Sequence, residues 1–483
     1  MSSLKHKTIN GVAWSSIERF SVQGIQFVIL ILMARILMPE DYGLVAMLAI
    51  FLAVFQVLID SGFSSALVQK HDRSEVDFST VFYFNIVISI ALFLVLFFSA
   101  PLISGFYKTP ALTSVTKIVA YNLLINAFAV VPRAKLTIFV DFKTQAKASL
   151  TAVVISGVIG IWMAYTGYGV WALVCQSLSY NGTNTLLLWV FSKWYPTWTF
   201  SMASFKQLFS FGSKLLLSGL LDTAFRNLYT LVIGKKFAAH ELGYYSRADQ
   251  FAQFPSANFT GIIGRVVFPV MCEVQHNNEQ LRNVFYKFLR VSTFIVFPLM
   301  VGLAALSAPF VRLFLTEKWI GAVVLLQLLC LAYMWFPVHS LNTLLLQAKG
   351  RSDLFLRVEI IKKVIGVVAL VVTIPFGVTI MCVGLIVSSV LCLYINAHYT
   401  QKHFDISLFK QMRDILPSLL LSVSMGGIIF LLVQFNLSDT ITLVLGISIG
   451  CLYYTGVAAL FKMKEWTELV AISMLYINKN NSL

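Results

Sequence analysis

Charged residues are scarce in this chain. Asp, Glu, Lys and Arg together make up 12% of its 483 residues, whereas 58% of the residues are hydrophobic. A soluble domain carries about 25% charged residues, so this chain has too few of them to cover a water-exposed surface. The composition therefore excludes a soluble enzyme and predicts a membrane protein.

The cysteine patterns of metal sites and disulfide frameworks are missing too. The six cysteines lie in or at the ends of apolar runs, and no two of them form a Cys-x-x-Cys pair. Such isolated cysteines support neither a zinc site nor a set of disulfides. We therefore expect no metal site and no cofactor.

Long polar stretches are also lacking. About fourteen apolar segments follow one another, most of them near or above the roughly 20 residues that cross a bilayer. A membrane polymerase, ligase or glycosyltransferase needs a catalytic loop or domain outside the spans, so we do not expect an enzyme. The predicted spans are residues 11–37, 42–68, 78–103, 112–136, 146–167, 169–192, 207–234, 242–270, 284–307, 320–347, 355–375, 378–400, 414–435 and 440–461.

The amino-terminal segment differs from a removable signal peptide. Lys5 and Lys7 precede an apolar run over residues 11–37, and Glu18 and Arg19 interrupt that run. A signal peptide has an apolar region of only about 7–15 residues. We therefore interpret the segment as a first span that is retained.

The distribution of Lys and Arg predicts the orientation of the spans. With the amino terminus inside, most of the 36 basic residues fall in the inner loops and tails, above all in residues 133–147, 349–363 and 402–413. Because cytoplasmic loops carry such an excess, we expect both termini in the cytoplasm. This topology also accounts for most of the net charge of +15, so nucleic-acid binding is not needed to explain it.

The chain repeats itself. Residues 34–43 (ARILMPEDYG) correspond to residues 234–243 (GKKFAAHELG) at a shift of 200, and the Ser-Ala-Pro of residues 99–101 recurs at residues 307–309. Six spans separate the copies, and an even number keeps both copies in the same orientation, as in a parallel repeat. We predict two six-helix lobes, residues 1–200 and 201–408, followed by residues 409–483 with two additional spans and a cytoplasmic tail.

Ionisable residues inside the spans are concentrated in spans 1, 2, 7 and 8, which correspond to one another under the repeat. Such residues usually face a bundle interior or an aqueous cavity. At helical spacing they form polar stripes, and the cations among them form a ladder that suits a multiply charged anion, because guanidinium groups bind phosphate bidentately. The ionisable residues are Glu18, Arg19, Asp60, Lys214, Asp222, Arg226, Arg247, Asp249 and Arg265.

A structural reading of these charges stays open. Asp222 and Arg226 are four residues apart and could form an ion pair on one helix. Arg247 and Arg265 lie near predicted span ends and could extend to the membrane interface.

Several motifs resemble those of a known family. They are residues 11–16 (GVAWSS), 34–37 (ARIL), 39–43 (PEDYG), 242–248 (LGYYSRA) and 264–270 (GRVVFPV). In these motifs the chain resembles bacterial polysaccharide transporters, and among them the colanic-acid and teichuronic-acid exporters. This group belongs to the multidrug/oligosaccharidyl-lipid/polysaccharide (MOP) exporter superfamily, together with lipid II flippases and multidrug extruders of the MATE type.

The resemblance implies a fold and a function. The fold is an all-α polytopic membrane protein of about fourteen helices, in two lobes plus two extra helices. The function is alternating-access transfer of undecaprenyl-pyrophosphate-linked oligosaccharide units from the inner to the outer leaflet of the bacterial cytoplasmic membrane. Such a flippase serves the biosynthesis of capsule, exopolysaccharide or lipopolysaccharide O-antigen. Its expected partners are the lipid-linked substrate, membrane lipids, and a polysaccharide polymerase with other proteins of the pathway.

For such a transfer, the polar residues of the spans are our candidates for binding and coupling. The cations Arg19, Lys214, Arg226, Arg247 and Arg265 are the candidates for binding pyrophosphate. The candidates for hydrogen bonds to sugar are Gln23, Gln26, Gln56 and Asn258. Glu18, Asp60, Asp222 and Asp249 are candidates for coupling to H⁺ or Na⁺, although the membrane potential alone could drive the cycle.

Two alternatives share the same fold. A cation-coupled multidrug extruder would favour an apolar cavity dominated by carboxylates, and the mixture of basic and acidic groups in these spans argues mildly against it. A lipid II flippase would be essential for growth.

Overall fold

The chain folds into helices. The structure is a computed structural model that describes residues 21–70, 72–435 and 437–468, and within those ranges it contains no strand. Ten of its helical stretches are long and apolar enough to cross a membrane. The prediction of an all-α polytopic membrane protein is confirmed, whereas the count of fourteen spans stays a prediction.

Two compact units divide the chain, Met1–Gly243 and Tyr244–Leu483. The helix that crosses this boundary is α11, Ala239–Glu273. The predicted division into residues 1–200, 201–408 and 409–483 stays a prediction, but the helices that follow residue 200 pack against the first unit until Gly243. The other helices of the first unit are α1 (Ser21–Ile36), α2 (Pro39–Asp60), α3 (Phe63–Gln69), α4 (Glu75–Tyr107), α5 (Leu112–Val119), α6 (Tyr121–Ile138), α7 (Phe142–Tyr165), α8 (Val170–Ser192), α9 (Met202–Arg226) and α10 (Leu228–Lys236).

The second unit continues from the remainder of α11. Its other helices are α12 (Asn278–Ala305), α13 (Ser307–Leu315), α14 (Ala322–Tyr333), α15 (Phe336–Ala348), α16 (Ser352–Thr373), α17 (Val378–Phe404), α18 (Leu408–Val433) and α19 (Asp439–Leu460). Residues 464–468 form a further helical turn.

Four predicted spans are broken in the structure. The span 112–136 divides at Ala120, between α5 and α6. The predicted span 42–68 divides where Ser61 and Gly62 adopt left-handed backbone angles, with φ of 45° and 70°. The span 207–234 divides at Asn227, and the span 320–347 divides between Tyr333 and Phe336. The residues on both sides of each break belong to one apolar stretch. Hydrophobicity alone therefore does not reveal the break.

An aromatic core joins several helices of the first unit. Phe63 of α3, Phe82 of α4 and Leu208 of α9 are buried in it together with Trp194, which follows α8. The Trp194 Nε1 donates a hydrogen bond of 2.7 Å to Glu75 Oε2 at the start of α4. This core fixes α3 and the first half of α9 beside α4 and α6.

The last two long helices share a core with α12. Phe294 of α12 packs against Leu421 and Met425 of α18 and against Tyr454 of α19, whose hydroxyl donates to the Phe294 carbonyl at 3.0 Å. At one end of this core, Arg290 pairs with Asp414 and Glu468. The described part of the carboxyl-terminal region is therefore packed into the second unit.

Candidate functional site

A polar cavity of about 650 Å³ lies within the first unit, among α2, α3, α6, α8 and α9. Apolar residues such as Val57, Val130 and Leu215 form part of its wall. Its polar lining is unusual for helices of this composition, because polar groups inside membrane spans are costly and mark functional sites. The polar lining includes the side chains of Gln56, Asp60, Ser64, Asn126, Arg133 and Asn181.

Asp60 is the carboxylate of this cavity. It is the last residue of α2, directly before the left-handed turn of Ser61 and Gly62. The Ser64 hydroxyl donates to Asp60 Oδ1 at 2.5 Å, which holds the carboxylate in place across the turn. The second oxygen of this carboxylate remains available to accept a hydrogen bond from a ligand or from water.

Amide side chains connect the helices around the cavity. Asn126 Nδ2 of α6 donates to Gln56 Oε1 of α2 at 3.2 Å. Asn181 Nδ2 of α8 donates to Asn122 Oδ1 of α6 at 2.7 Å. Each of these bonds uses only part of an amide's capacity of two donors and one acceptor with two lone pairs. The remaining capacity of Gln56, Asn126 and Asn181 can bind hydroxyl groups.

Arg133 supplies the positive charge. It lies near the end of α6, is exposed, and lines the cavity together with Asp60. Over the described ranges no carboxylate lies within ion-pair distance of its guanidinium group. A guanidinium group without a carboxylate at ion-pair distance is suited to bind phosphate or the carboxylate of a ligand through two parallel hydrogen bonds.

Small residues bring α9 close enough to form one wall. A Cβ atom on Gly212 would lie 2.6 Å from the Ser61 carbonyl oxygen, and one on Gly62 would lie 2.6 Å from the Gly212 carbonyl oxygen. Gly62 also has a φ of +70°, which other residues rarely adopt. The turn after α2 and the helix α9 therefore touch backbone to backbone, and Gly219 of α9 lines the cavity.

Of the site residues predicted from the sequence, the cavity brings together Gln56 and Asp60. Lys214, Asp222 and Arg226 lie on α9 but are exposed. Arg226 Nε is 2.8 Å from Asp222 Oδ2, with 79% and 52% of the two side chains exposed. The ion pair that the sequence left open is therefore present, and it does not exclude binding by these residues, because both remain accessible.

The first predicted stripe is only partly described. Glu18 and Arg19 lie outside the described residues. Gln23 of α1 is half-buried and Gln26 is exposed. Their predicted roles stay predictions.

The remaining predicted residues lie on α11 in the second unit. Asp249 accepts hydrogen bonds from the hydroxyl group of Tyr333 and from Gln253. Asn258 Nδ2 donates to the Phe254 carbonyl of its own helix at 2.8 Å. Arg247 is half-buried and Arg265 is exposed. Their roles as binding or coupling residues stay predictions.

Sequence reasoning missed Asn126, Arg133 and Asn181. The two asparagines are neutral and so do not stand out as buried charges, and the predicted topology places Arg133 in an inner loop. A signal was present, because Asn122 and Asn126 are four residues apart and so share one face of α6.

Comparison with known proteins shows which proteins this chain is similar to. The model of the family described as "Polysaccharide biosynthesis protein" matches residues 32–324. The chain is 28% identical over 357 residues to the teichuronic acid biosynthesis protein TuaB of Bacillus subtilis, which covers 73% of this chain and 74% of TuaB. It is 28% identical over 377 residues to the lipopolysaccharide biosynthesis protein WzxC of Escherichia coli, with 77% and 76% covered.

A solved structure supports the fold. The lipid II flippase MurJ in an inward closed conformation superposes with a TM-score of 0.76 at 17% identity, and the match covers 92% of this chain and 98% of MurJ. At this identity the likeness concerns the fold alone.

Proposed function

This chain belongs to the polysaccharide biosynthesis protein family, and on that premise we propose that it is a flippase for lipid-linked oligosaccharides. It transfers undecaprenyl-pyrophosphate-linked repeat units from the inner to the outer leaflet of the bacterial cytoplasmic membrane for surface polysaccharide biosynthesis. The observation that carries the proposal is the polar cavity among α2, α3, α6, α8 and α9, most of which belong to stretches long and apolar enough to cross a membrane. The membrane lipid tail stays in the bilayer while the polar headgroup enters the protein.

The residues of the cavity match the chemistry of such a headgroup. The amides of Gln56, Asn126 and Asn181 and the carboxylate of Asp60 offer acceptors and donors for sugar hydroxyls. Arg133 offers a bidentate site for phosphate. A lining of amides, one carboxylate and one guanidinium group fits a polar anion better than it fits an apolar drug cation.

The predicted topology gives the cavity a direction. Arg133 and the end of α6 lie beside residues 133–147, one of the basic stretches that the positive-inside rule assigns to the cytoplasm. Asp60, at the end of α2, lies on the same side in this topology. The substrate is therefore loaded from the cytoplasmic side, where lipid-linked repeat units are assembled.

The transfer makes and breaks no covalent bond in this proposal. A membrane potential of about 100 mV supplies about 2.3 kcal/mol for each charge moved. Moving a headgroup with two negative charges outward then gains roughly 4–5 kcal/mol. This gain is large enough to drive export without hydrolysis of a nucleotide.

The test is a flipping assay with purified protein in proteoliposomes. The probe is undecaprenyl pyrophosphate that carries a labelled oligosaccharide, and the readout is the fraction of label accessible on the far leaflet. We expect the wild type to move the probe and Arg133→Gln to lower the apparent affinity by about 10- to 100-fold, the range expected when a charge-assisted hydrogen bond is lost. Arg357→Gln is the matched control, because Arg357 is exposed on α16 and lies outside the cavity.

Three results would contradict the proposal. If the wild type moves no glycolipid but exports organic cations from the same vesicles, the protein is a drug extruder. If the wild type moves lipid II alone, it is a peptidoglycan-precursor flippase. If the purified protein alters the glycosidic bonds of the probe, it is an enzyme.

A further inference from the structure

We propose that the segment between α8 and α9, residues 193–201, docks on the lipid bilayer and inserts Tyr195 and Trp198 into its interfacial layer. The partner of this connecting segment is the boundary between phospholipid headgroups and acyl chains. In the predicted topology this layer belongs to the inner leaflet. The docking involves the first unit alone and is independent of the transported substrate.

The connecting segment presents large aromatic side chains to its surroundings. Trp198 is 95% exposed, Tyr195 is 77% exposed and Phe200 is 50% exposed, whereas Trp194 is buried. Large apolar side chains that are exposed together mark an interaction surface. Tryptophan and tyrosine are enriched at membrane–water interfaces, because one part of each ring system is apolar and another part is polar.

Hydrogen bonds fix the connecting segment to the start of α4. The backbone N–H of Thr197 donates to Ser79 Oγ at 2.9 Å, and the backbone N–H of Ser201 donates to Thr80 Oγ1 at 3.0 Å. Both acceptor residues are fully buried. The position of the exposed rings is therefore set by α4, which is long and apolar enough to cross a membrane.

Trp198 lies at the end of an exposed apolar stripe on α4. Its ring is roughly parallel to that of Tyr83, with an angle of 26° and centroids 6.2 Å apart. Tyr83 is followed at helical spacing by Val87, Ile90 and Leu94, which are all exposed. On a helix of membrane length such a stripe faces the acyl chains. Trp198 therefore lies where the surface in contact with acyl chains ends.

A matching set of aromatic residues lies at the other end of α8. Trp162 and Tyr165 in the last turn of α7 and Tyr168 in the turn before α8 are all exposed. The 23 residues of α8 separate this set from the connecting segment, which corresponds to about 35 Å. The hydrocarbon core of a bilayer is about 30 Å thick. The two sets thus have the spacing of the two aromatic belts of a membrane protein.

Two lysines flank the aromatic residues of the connecting segment. Lys193 is its first residue, and Lys206 is exposed on the second turn of α9. Lysine side chains near the ends of spans extend towards the interface, where their charge attracts anionic headgroups. The segment therefore combines rings for the acyl-chain boundary with cations for the lipid phosphates.

The docking also sets the depth of the polar cavity in the bilayer. Trp194 of the connecting segment packs in one buried core with Phe63 and Val131. These two residues are the sequence neighbours of Ser64 and Val130, which line the cavity. A segment held at the interface therefore holds this part of the cavity wall at a fixed distance from the lipid headgroups.

The test compares the wild type with Trp198→Phe in nanodiscs of brominated phospholipids, because bromine quenches tryptophan fluorescence on contact. The bromine is placed near the headgroup end of the acyl chain or at its tip, and acrylamide serves as the quencher in water. The contribution of Trp198, one of nine tryptophans, is the difference between the two proteins. In Trp198→Phe we expect a loss of quenching by bromine near the headgroup and no change with bromine at the tip.

Three further variants serve as controls. Trp319→Phe removes a fully buried tryptophan, so quenching by lipid bromine should not fall. Trp162→Phe acts on the other aromatic set and should behave like Trp198→Phe. Tyr195→Trp in the Trp198→Phe background moves the probe by three residues along the segment and should restore the lost quenching. Circular dichroism spectra should equal that of the wild type, because the replaced side chains at positions 195 and 198 are largely exposed.

Three results would overturn the docking. If Trp198→Phe loses quenching by acrylamide and keeps all quenching by lipid bromine, the segment lies in water. If bromine at the chain tip is the quencher that loses its effect, Trp198 lies in the hydrocarbon core and not at its boundary. If Tyr195→Trp does not restore the quenching, the lipid contact is confined to one ring and the segment does not dock.

Discussion

Gly43 and Gly243 lie 200 residues apart, and each contacts the residue four positions before the other. A Cβ atom on Gly43 would overlap the carbonyl oxygen of Ala239, and a Cβ atom on Gly243 would overlap the carbonyl oxygen of Pro39. The shift between the two sets is the shift of the internal repeat. The first turns of α2 and α11 therefore meet through equivalent residues, backbone against backbone.

This contact has a place in the proposed transport cycle. The topology predicted from Lys and Arg places the starts of α2 and α11 at the outer face. Alternating access requires groups at that face to separate when the substrate leaves. Because the contact depends on two residues without side chains, its strength can be altered by a single methyl group.

We expect Gly43→Ala and Gly243→Ala to weaken this contact. Overpacking of a tight site costs about 1–3 kcal/mol. This cost corresponds to roughly a 5- to 150-fold shift in the population of the form in which the starts of α2 and α11 are in contact. The measurement is labelling of Leu242→Cys, a buried position, by an impermeant thiol reagent in a variant without native cysteines. Labelling should rise in both alanine variants.

Gly105→Ala is the matched control for these variants. Gly105 lies on α4, and a Cβ atom there would meet no atom within 4 Å. Its labelling should equal that of the unaltered protein. Equal labelling in all three alanine variants would show that the glycine contact does not control access to this position.

Arg226→Ala separates a binding role from a structural one. The pair of Arg226 and Asp222 is exposed, and exposed ion pairs contribute only about 0–1 kcal/mol to stability. We therefore expect a nearly unchanged melting midpoint but a loss of glycolipid flipping. A melting midpoint that falls together with activity would favour the structural reading, and normal flipping would remove Arg226 from the site.

Arg290→Gln should destabilise the second unit. The Arg290 guanidinium group pairs with Asp414 at 2.8 Å and with Glu468, and all three side chains are largely buried. Its removal leaves two carboxylates facing each other without a cation, which costs roughly 2–4 kcal/mol for such a partly buried cluster. The measurement is thermal unfolding followed by tryptophan fluorescence.

Arg282→Gln on the same helix provides the comparison. Its partner Asp405 is exposed and 3.7 Å away, so this change should leave the melting midpoint almost unaltered. Replacing Asp414 and Glu468 by their amides should restore part of the stability lost in Arg290→Gln. If the two arginine variants melt alike, the buried cluster does not stabilise the unit.

Glu465→Gln should make stability less dependent on pH. Burial raises the pKa of Glu465 above its ordinary value of 4.5, the positive charge of Arg290 opposes this shift, and the charges of Glu468 and Asp414 add to it. A raised pKa in the folded state means that the contribution to stability is complete below 4.5 and is lost as the pH rises through the folded pKa. At neutral pH we therefore expect Glu465→Gln to melt at a higher temperature than the wild type.

The pH series supplies the check. The difference in melting midpoint should shrink as the pH falls below 4.5, because Glu465 is then protonated in both the folded and the unfolded state. Glu279→Gln, at an exposed position on α12, should show no such trend. A constant difference at every pH would mean that the gain comes from packing and not from removal of a buried charge.

The sequence predicts the long helices well because their signal is local. The predicted span 78–103 lies inside Glu75–Tyr107, and the span 378–400 lies inside Val378–Phe404. The breaks at Ser61 and Asn227 do not change the hydrophobicity of the segment and so leave little trace in it. Gly62, which follows the polar residues Asp60 and Ser61, is a hint of the first break, because glycine beside polar residues often marks a turn.

The candidate site is harder to predict because it depends on which helices become neighbours. Asp60 and Gln56 share a helix, and their spacing reveals them. Asn126 and Asn181 come from two other helices, and only packing brings them to the same cavity. Arg133 is recognisable in the sequence as the first residue of the basic stretch 133–147. Its position in the same cavity as Asp60 depends on the tertiary structure.

The contact between the starts of α2 and α11 has a consequence for the origin of the chain. A contact in which each side presents the same residues to the other is the kind that forms between two copies of one molecule about a twofold axis. A half-length ancestor with a single glycine at this position would satisfy both sides at once when two copies met. After tandem fusion the two sides could change separately. Pro39 now contacts Gly243 and Ala239 contacts Gly43, so the partners differ between the two sides while both glycines remain.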